Sequence, residues 1–177
     1  MSTFKIIKDS CVNQEIDAIV NAANGYMMHG GGVARAILLK AGQELNDACS
    51  KYDLPIKDGQ AIVTPAFNIT NAKIIIHSVG PDFNRTPNAF KELYEAYYNS
   101  LIALKDNNYN SISFPLISSS IFGGNLDNAV KESTKQCIRA YNKFISDYPD
   151  YDIDVLLCAY QSSEYKDSLD QYNEMNK

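Results

Sequence analysis

Val20–Ile37 reads VNAANGYMMHGGGVARAI. A compact apolar run, Asp17–Ala23 (DAIVNAA), leads into it, and a regular helical pattern leaves it. Val33, Ala36, Ile37, Ala41, Leu45 and Ala48 recur at helical spacing, which predicts one helix from about Val33 to Lys51. Gly42 inside that helix would cost ~1 kcal/mol relative to Ala. Between strand and helix stand Gly30, Gly31 and Gly32. Glycine reaches dihedrals closed to other residues and lets a ligand approach the backbone. A helix start adds unpaired N–H groups and a partial positive charge. Together these describe an anion cradle suited to phosphate; the competing reading is a flexible loop with a weak cap. The pattern is neither GxGxxG nor GxxxxGK[ST], so neither a dinucleotide fold nor a P-loop is indicated.

Outward from this stretch, strand-like and helix-like segments alternate. Phe4–Lys8, Gln60–Phe67, Lys73–Val79, Ser111–Ile117 and Asp154–Tyr160 read as strands. Phe90, Leu93, Ala96, Tyr97, Leu101 and Leu104 mark a second helix. Leu126, Val130, Cys137, Ala140, Tyr141 and Phe144 mark a third, and a terminal helix follows Ser163. Strands without clean polar alternation, separated by helices, imply a sheet covered on both faces. The expected class is α/β: a three-layer α/β/α sandwich with a mostly parallel or mixed central sheet. Ligands of such folds bind outside the carboxyl ends of the strands. Two unusual loops fall at such ends, Asn21–Gly32 and Ser118–Gly124.

The composition narrows the function. The chain has 177 residues, with 16 Lys+Arg against 21 Asp+Glu and a formal charge of −5. That balance argues against nucleic-acid binding by massed phosphate neutralisation. No apolar run reaches the ~18 residues of a membrane span. The N-terminus shows no basic region followed by a long apolar run, so a cytoplasmic location is the default expectation. Cys11, Cys49, Cys137 and Cys158 form no CxxC pair, and His29 and His77 lie far from them in sequence. No metal site is expected from such spacing. Cys158 reads as a small buried hydrophobe, and His77 in its Ile-rich strand as a hydrogen-bonded buried residue.

Asn21 and Asn24 flank two alanines. An amide can bind a vicinal diol such as a ribose, or it can tie down the turn. Asn24, nearer the glycines, favours the ligand; for Asn21 both roles stand. NAAN followed by GGGVA and a helix resembles the macro domain, an ADP-ribose-binding module. GQAIVTPAFNI (Gly59–Ile69), IIHSVGP (Ile75–Pro81) and ISFPLISSSIFG (Ile112–Gly123) follow in family order, so the resemblance spans nearly the whole chain as one domain, 1–177. The GGGVA form resembles archaeal and viral members more than the branch with aspartate after the valine; here that residue is Ala34.

The resemblance implies roles residue by residue. Asp9, with Ser10 beside it, would accept the exocyclic amine of adenine, a hydrogen bond strengthened by charge. Asp17 would be a structural residue instead. Tyr160 would pack on adenine. Gly30, Gly31, Gly32 and Val33 would face Ser118, Ser119, Ser120, Ile121 and Phe122 across the pyrophosphate. Ala23, Asn21 and Gly123 fall within the same motifs, and His29 matches a position often histidine in viral members. Asn24 would hold the distal ribose and Phe122 would stack beside it. Many macro domains hydrolyse ADP-ribose from modified carboxylate side chains. The water is thought to sit between the ligand's own phosphate and the anomeric carbon, so catalysis is mostly positioning. No cofactor is implied. The expected partners are ADP-ribose or ADP-ribosylated protein. The alternative is a non-catalytic reader of free ADP-ribose or of a nucleotide signal made by an NAD-consuming partner enzyme. A further alternative is hydrolysis of an acetylated ADP-ribose metabolite. Ser120 departs from the family's usual glycine: a positive φ there would cost about 1 kcal/mol or more, and any other φ would leave a hydroxyl for phosphate or ribose.

Overall fold

The apolar runs become strands buried on both faces. In the computed structural model, which describes all 177 residues, they are β1 (Thr3–Ile7), β2 (Ala18–Ala23), β3 (Ala61–Pro65), β4 (Ile74–Val79), β5 (Ser111–Phe114) and β6 (Asp154–Cys158). They form one sheet in the order β1-β6-β5-β2-β4-β3. Every pairing is parallel except β3 on β4, so the sheet is mixed. Only the edge strand runs against the rest.

Alternation within each strand sends neighbours into different cores. Val20 and Ile76 pack on one side with Leu93, Tyr97, Leu101, Ala140 and Phe144, which belong to α3 (Phe90–Asp106) and α4 (Ala129–Asp147). Ile19 and Ile75 pack on the other side with Ile37, Ala41, Leu45 and Cys49 of α1 (Gly32–Ala41) and α2 (Glu44–Cys49). Both faces are apolar, which is why the sequence shows no polar alternation. The last helix, α5 (Ser162–Met175), reaches β1 through the stacked rings of Phe4 and Tyr172, whose centroids lie 6.0 Å apart. This is the expected three-layer sandwich. No helix is long and apolar enough to cross a membrane.

The single helix expected over 33–51 is two helices. Gly42 has φ +96° and ends α1, its N–H bonding Leu38 O at 2.8 Å. The apolar period runs on because both helices lie on the same face of the sheet. The strands are also shorter than expected at their carboxyl ends: Pro115 follows the end of β5, and β6 stops at Cys158. Asp17 is structural, as expected. Its Oδ2 accepts the N–H of Asn110 at 3.0 Å and of Ser111 at 3.2 Å, and Oδ1 pairs with Lys73 at 3.1 Å.

Candidate active site

Four adjacent parallel strands, β1, β6, β5 and β2, end on the same edge of the sheet. The residues just past those ends are therefore set side by side: Asp9 and Ser10, then Tyr160, then 115–122, then 24–33. They enclose an open cleft of about 970 Å³. Residues from distant parts of the sequence meet there because strand order, not chain order, decides which loops are neighbours.

At the end of β2, Asn24 pins its own loop. Its Oδ1 accepts the N–H of Tyr26 and of Met28, both at 3.1 Å, and its Nδ2 donates to Met28 O at 2.7 Å. Asn24 therefore ties the turn, and it also lines the cleft. Gly25 is required by close approach, because a Cβ there would sit 2.6 Å from Ile56 O. Met27, at φ +55°, is buried and anchors the loop from below.

Asn21 does not line the cleft. It lies on β2 opposite His77 of β4, and its Nδ2 donates to His77 Nδ1 at 3.0 Å. Nδ1 is then the acceptor, so Nε2 carries the proton toward Thr64 Oγ1, also 3.0 Å away. His77 is buried as expected, and burial with His29 nearby lowers its pKa to about 3. His29 also stands apart from the cleft lining. It is buried, its ring centroid is 5.9 Å from that of His77, and burial lowers its pKa. Asn21 Oδ1 and His29 Nε2 are buried without a protein partner. Both residues support the loop from beneath: strand register turns Asn21 into the core, and His29 is buried from the loop that follows.

The glycine triplet lies against the cleft as the start of α1. Gly31 is the N-cap and offers no side-chain bond, and Gly32 has φ +57°. A Cβ at any of the three would meet open space, so a ligand can reach the backbone. The N–H groups of Gly32, Val33 and Ala34 donate to no acceptor within the chain. The N–H groups of Ser120, Ile121 and Phe122 do the same on the other loop. That loop is held by three anchors. Ser118, at φ +57°, donates its hydroxyl to Pro81 O at 2.7 Å; Phe122 O accepts Phe83 N–H at 2.8 Å; and Ile121 O accepts Asn84 Nδ2 at 2.7 Å. Gly80 makes the first anchor possible, since a Cβ there would fall 2.5 Å from Ser118 Oγ. Ser120 has φ −111°, so the left-handed conformation sits at Ser118 instead. Gly123 is buried and off the cleft. A Cβ there would meet Ala129 Cβ at 2.8 Å, so this glycine serves packing and not ligand contact.

At the opposite end, Asp9 Oδ1 accepts Asn13 Nδ2 at 3.0 Å and Ser10 N–H at 2.7 Å, while Oδ2 accepts Gln14 Nε2 at 3.1 Å. These bonds, Asn13's foremost, hold its carboxyl below the usual range, so it is an ionised acceptor at neutral pH. Ser10 Oγ caps a short turn by accepting Val12 N–H at 3.4 Å. Tyr160 stands 72% exposed over the cleft. The cleft also takes in Met28, Ala36, Gly80 and Glu164, which the sequence did not mark as site residues, and Cys158, which it marked only as a buried hydrophobe. Burial pushes the Cys158 thiol up to about 12, with Asp9 adding to it, so it is a protonated, inert wall.

The family described as Macro domain matches residues 20–133. A protein of Salmonella typhimurium named O-acetyl-ADP-ribose deacetylase is 36% identical over 151 residues, covering 83% of this chain and 82% of that one. An uncharacterized protein of Thermotoga maritima is 40% identical over 150 residues; this match covers 82% of the chain but only 24% of that longer protein. The Oceanobacillus iheyensis macrodomain solved with ADP superposes at a TM-score of 0.86 with 28% identity, covering 97% of this chain and 90% of that one. The glycine cradle, the parallel-strand cleft and these matches agree, and the chain belongs to the macro domain family.

Proposed function

We propose that the chain, acting as one domain, binds ADP-ribose and hydrolyses an ester bond to its distal ribose. The observation that carries this reading is the pair of backbone rows, Gly32–Ala34 and Ser120–Phe122, whose N–H groups are unpaired and line one cleft. A diphosphate is the ligand such donors suit, and the start of α1 adds its dipole. Asp9 and Tyr160 at one end suit the amine edge and the face of adenine. Asn24 and Phe122 at the other end suit the distal ribose. An ester has a tolerable leaving group, so a water placed between the ligand's phosphate and the reacting carbon is enough without a strong side-chain acid. The name of the Salmonella relative favours an acetyl ester of ADP-ribose as one substrate. A carboxylate side chain linked to ADP-ribose presents the same chemistry. Ala34 after Val33 supports a GGGVA-type reading over the branch with aspartate at that position.

The test is turnover. O-acetyl-ADP-ribose and a carboxylate-linked mono-ADP-ribosylated protein are each incubated with the chain, and release of acetate or of ADP-ribose is followed. Release from at least one substrate is expected; no release from either overturns the enzyme reading. A second reading, a reader of ADP-ribose working beside an NAD-consuming enzyme, has its own support. The Oδ1 of Asn24 is already taken by two N–H groups of its loop. Calorimetric binding of ADP-ribose with no turnover would favour the reader.

A further inference from the structure

Three consecutive serines open the second phosphate-facing loop, and their hydroxyls have different fates. Ser118 Oγ is buried and donates to Pro81 O at 2.7 Å. Ser119 Oγ donates to Leu116 O at 2.7 Å. Ser120 is exposed, lines the cleft and bonds nothing in the chain through its hydroxyl. It also occupies the N-cap of the short turn Ile121–Gly123, where a serine ordinarily turns back to cap. Here it does not, so the hydroxyl is left without a partner in the chain. Its φ of −111° lies outside the left-handed region that favours glycine. The N–H groups of Ser120, Ile121 and Phe122 beside it are unpaired as well.

We propose that the Ser120 hydroxyl is a direct ligand of the bound diphosphate, a side-chain donor added to the backbone row of this loop. The proposal rests on the ADP-ribose reading of the cleft. On that reading Phe122 meets the distal ribose and Asp9 and Tyr160 the adenine, so Ser120, two residues before Phe122, falls at the diphosphate between them. A hydroxyl donating to a phosphate oxygen is charge-assisted and stronger than a neutral pair. The acidic chain supplies no Lys or Arg to the cleft lining, which leaves each neutral donor a larger share of the recognition.

Calorimetry with ADP, ADP-ribose and adenosine on the wild type, Ser120→Ala, Ser120→Gly and Ser120→Thr tests this. Ser120→Ala and Ser120→Gly should each bind ADP and ADP-ribose about tenfold more weakly. Ser120→Thr, which keeps the hydroxyl, should stay within about threefold, and adenosine should bind all four alike. Melting curves identify any variant that fails to fold, and either of the two hydroxyl-less variants suffices. Unchanged ADP affinity in a folded Ser120→Ala or Ser120→Gly overturns the proposal, as does an equal loss for adenosine. A wild type that binds neither ADP nor ADP-ribose overturns the reading of the cleft itself.

Discussion

Asp9 holds its own turn, and on the proposed reading the same carboxylate takes the adenine amine; the two roles can be separated. Three donors from its own turn hold it ionised, and Oδ2, with a single bond from Gln14, has capacity left for a ligand amine. Replacing it removes a charge-assisted acceptor, for which about tenfold in affinity is the ordinary scale. Asp9→Ala should therefore weaken ADP-ribose about tenfold and leave the hypoxanthine analogue, which has no exocyclic amine, nearly unchanged. Competition binding with the two nucleotides reads this directly. An equal drop for both would mean that Asp9 only supports its turn. The same residue scale explains Asn21 and Asn24. They differ by three positions and flank two alanines, so chemistry alone does not separate them. Asn21 is still within β2, where cross-strand pairing sets it against His77. Asn24 is the first residue past the strand, free of that pairing and beside the cleft.

At the scale of elements, the break between α1 and α2 offers a test by sign. If Gly42 lay inside one helix, Gly42→Ala would stabilise by about 1 kcal/mol. In the structure it has φ +96°, and a Cβ would approach Asn68 Nδ2 to 2.9 Å. Left-handed backbone is costly for a residue with a Cβ, by roughly 1–2 kcal/mol. Gly42→Ala should therefore lower stability by about that amount, seen as a shift of the denaturation midpoint without a change of slope. A stabilised variant would show that the two helices can fuse. Apolar periodicity could not reveal this break, because α1 and α2 present the same face to the same sheet. The decisive contact, Asn68 N–H on Ala41 O at 3.1 Å, comes from a distant loop.

At the scale of the molecule, the buried histidine pair sets a response to acid. His29 and His77 have pKa values lowered by burial, to about 3 for His77, against 6.5 for an unperturbed histidine. The unfolded chain binds these protons more readily, so their contribution is fully present above pH 6.5 and is lost as pH falls toward 3. The carboxylates held low, Asp9 and Asp17 among them, give way mainly below their ordinary value of 3.8, and Asp58, raised by burial, acts in the opposite sense, so a loss of stability from 6.5 to about 4.5 comes from the histidines. Stability should fall across it with a slope of up to about 1.4 kcal/mol per pH unit for each histidine. Denaturation of the wild type and of His77→Gln at pH 7, 6 and 5 measures this. The variant should lose about one proton's worth of slope, and an unchanged slope would refute the assignment. The charge of −5 also takes on a narrower meaning here. It excludes binding by massed cations, while the proposed diphosphate would be met by main-chain N–H groups that no charge count records.

The sequence by itself determined what local chemistry can carry. It specified the alternation of strands and helices, the glycine cradle before α1, the serine run and the family these motifs belong to. Those follow from periodicity, backbone freedom and side-chain type within a few residues. The tertiary structure decided what depends on neighbours far away in the chain. The order β1-β6-β5-β2 set Asp9, Tyr160, the serine loop and Asn24 along one edge. Strand register turned Asn21 inward to His77. Packing against Ala129 took Gly123 off the cleft, and Pro81 claimed the Ser118 hydroxyl. Only after those long-range contacts are made is the Ser120 hydroxyl left over.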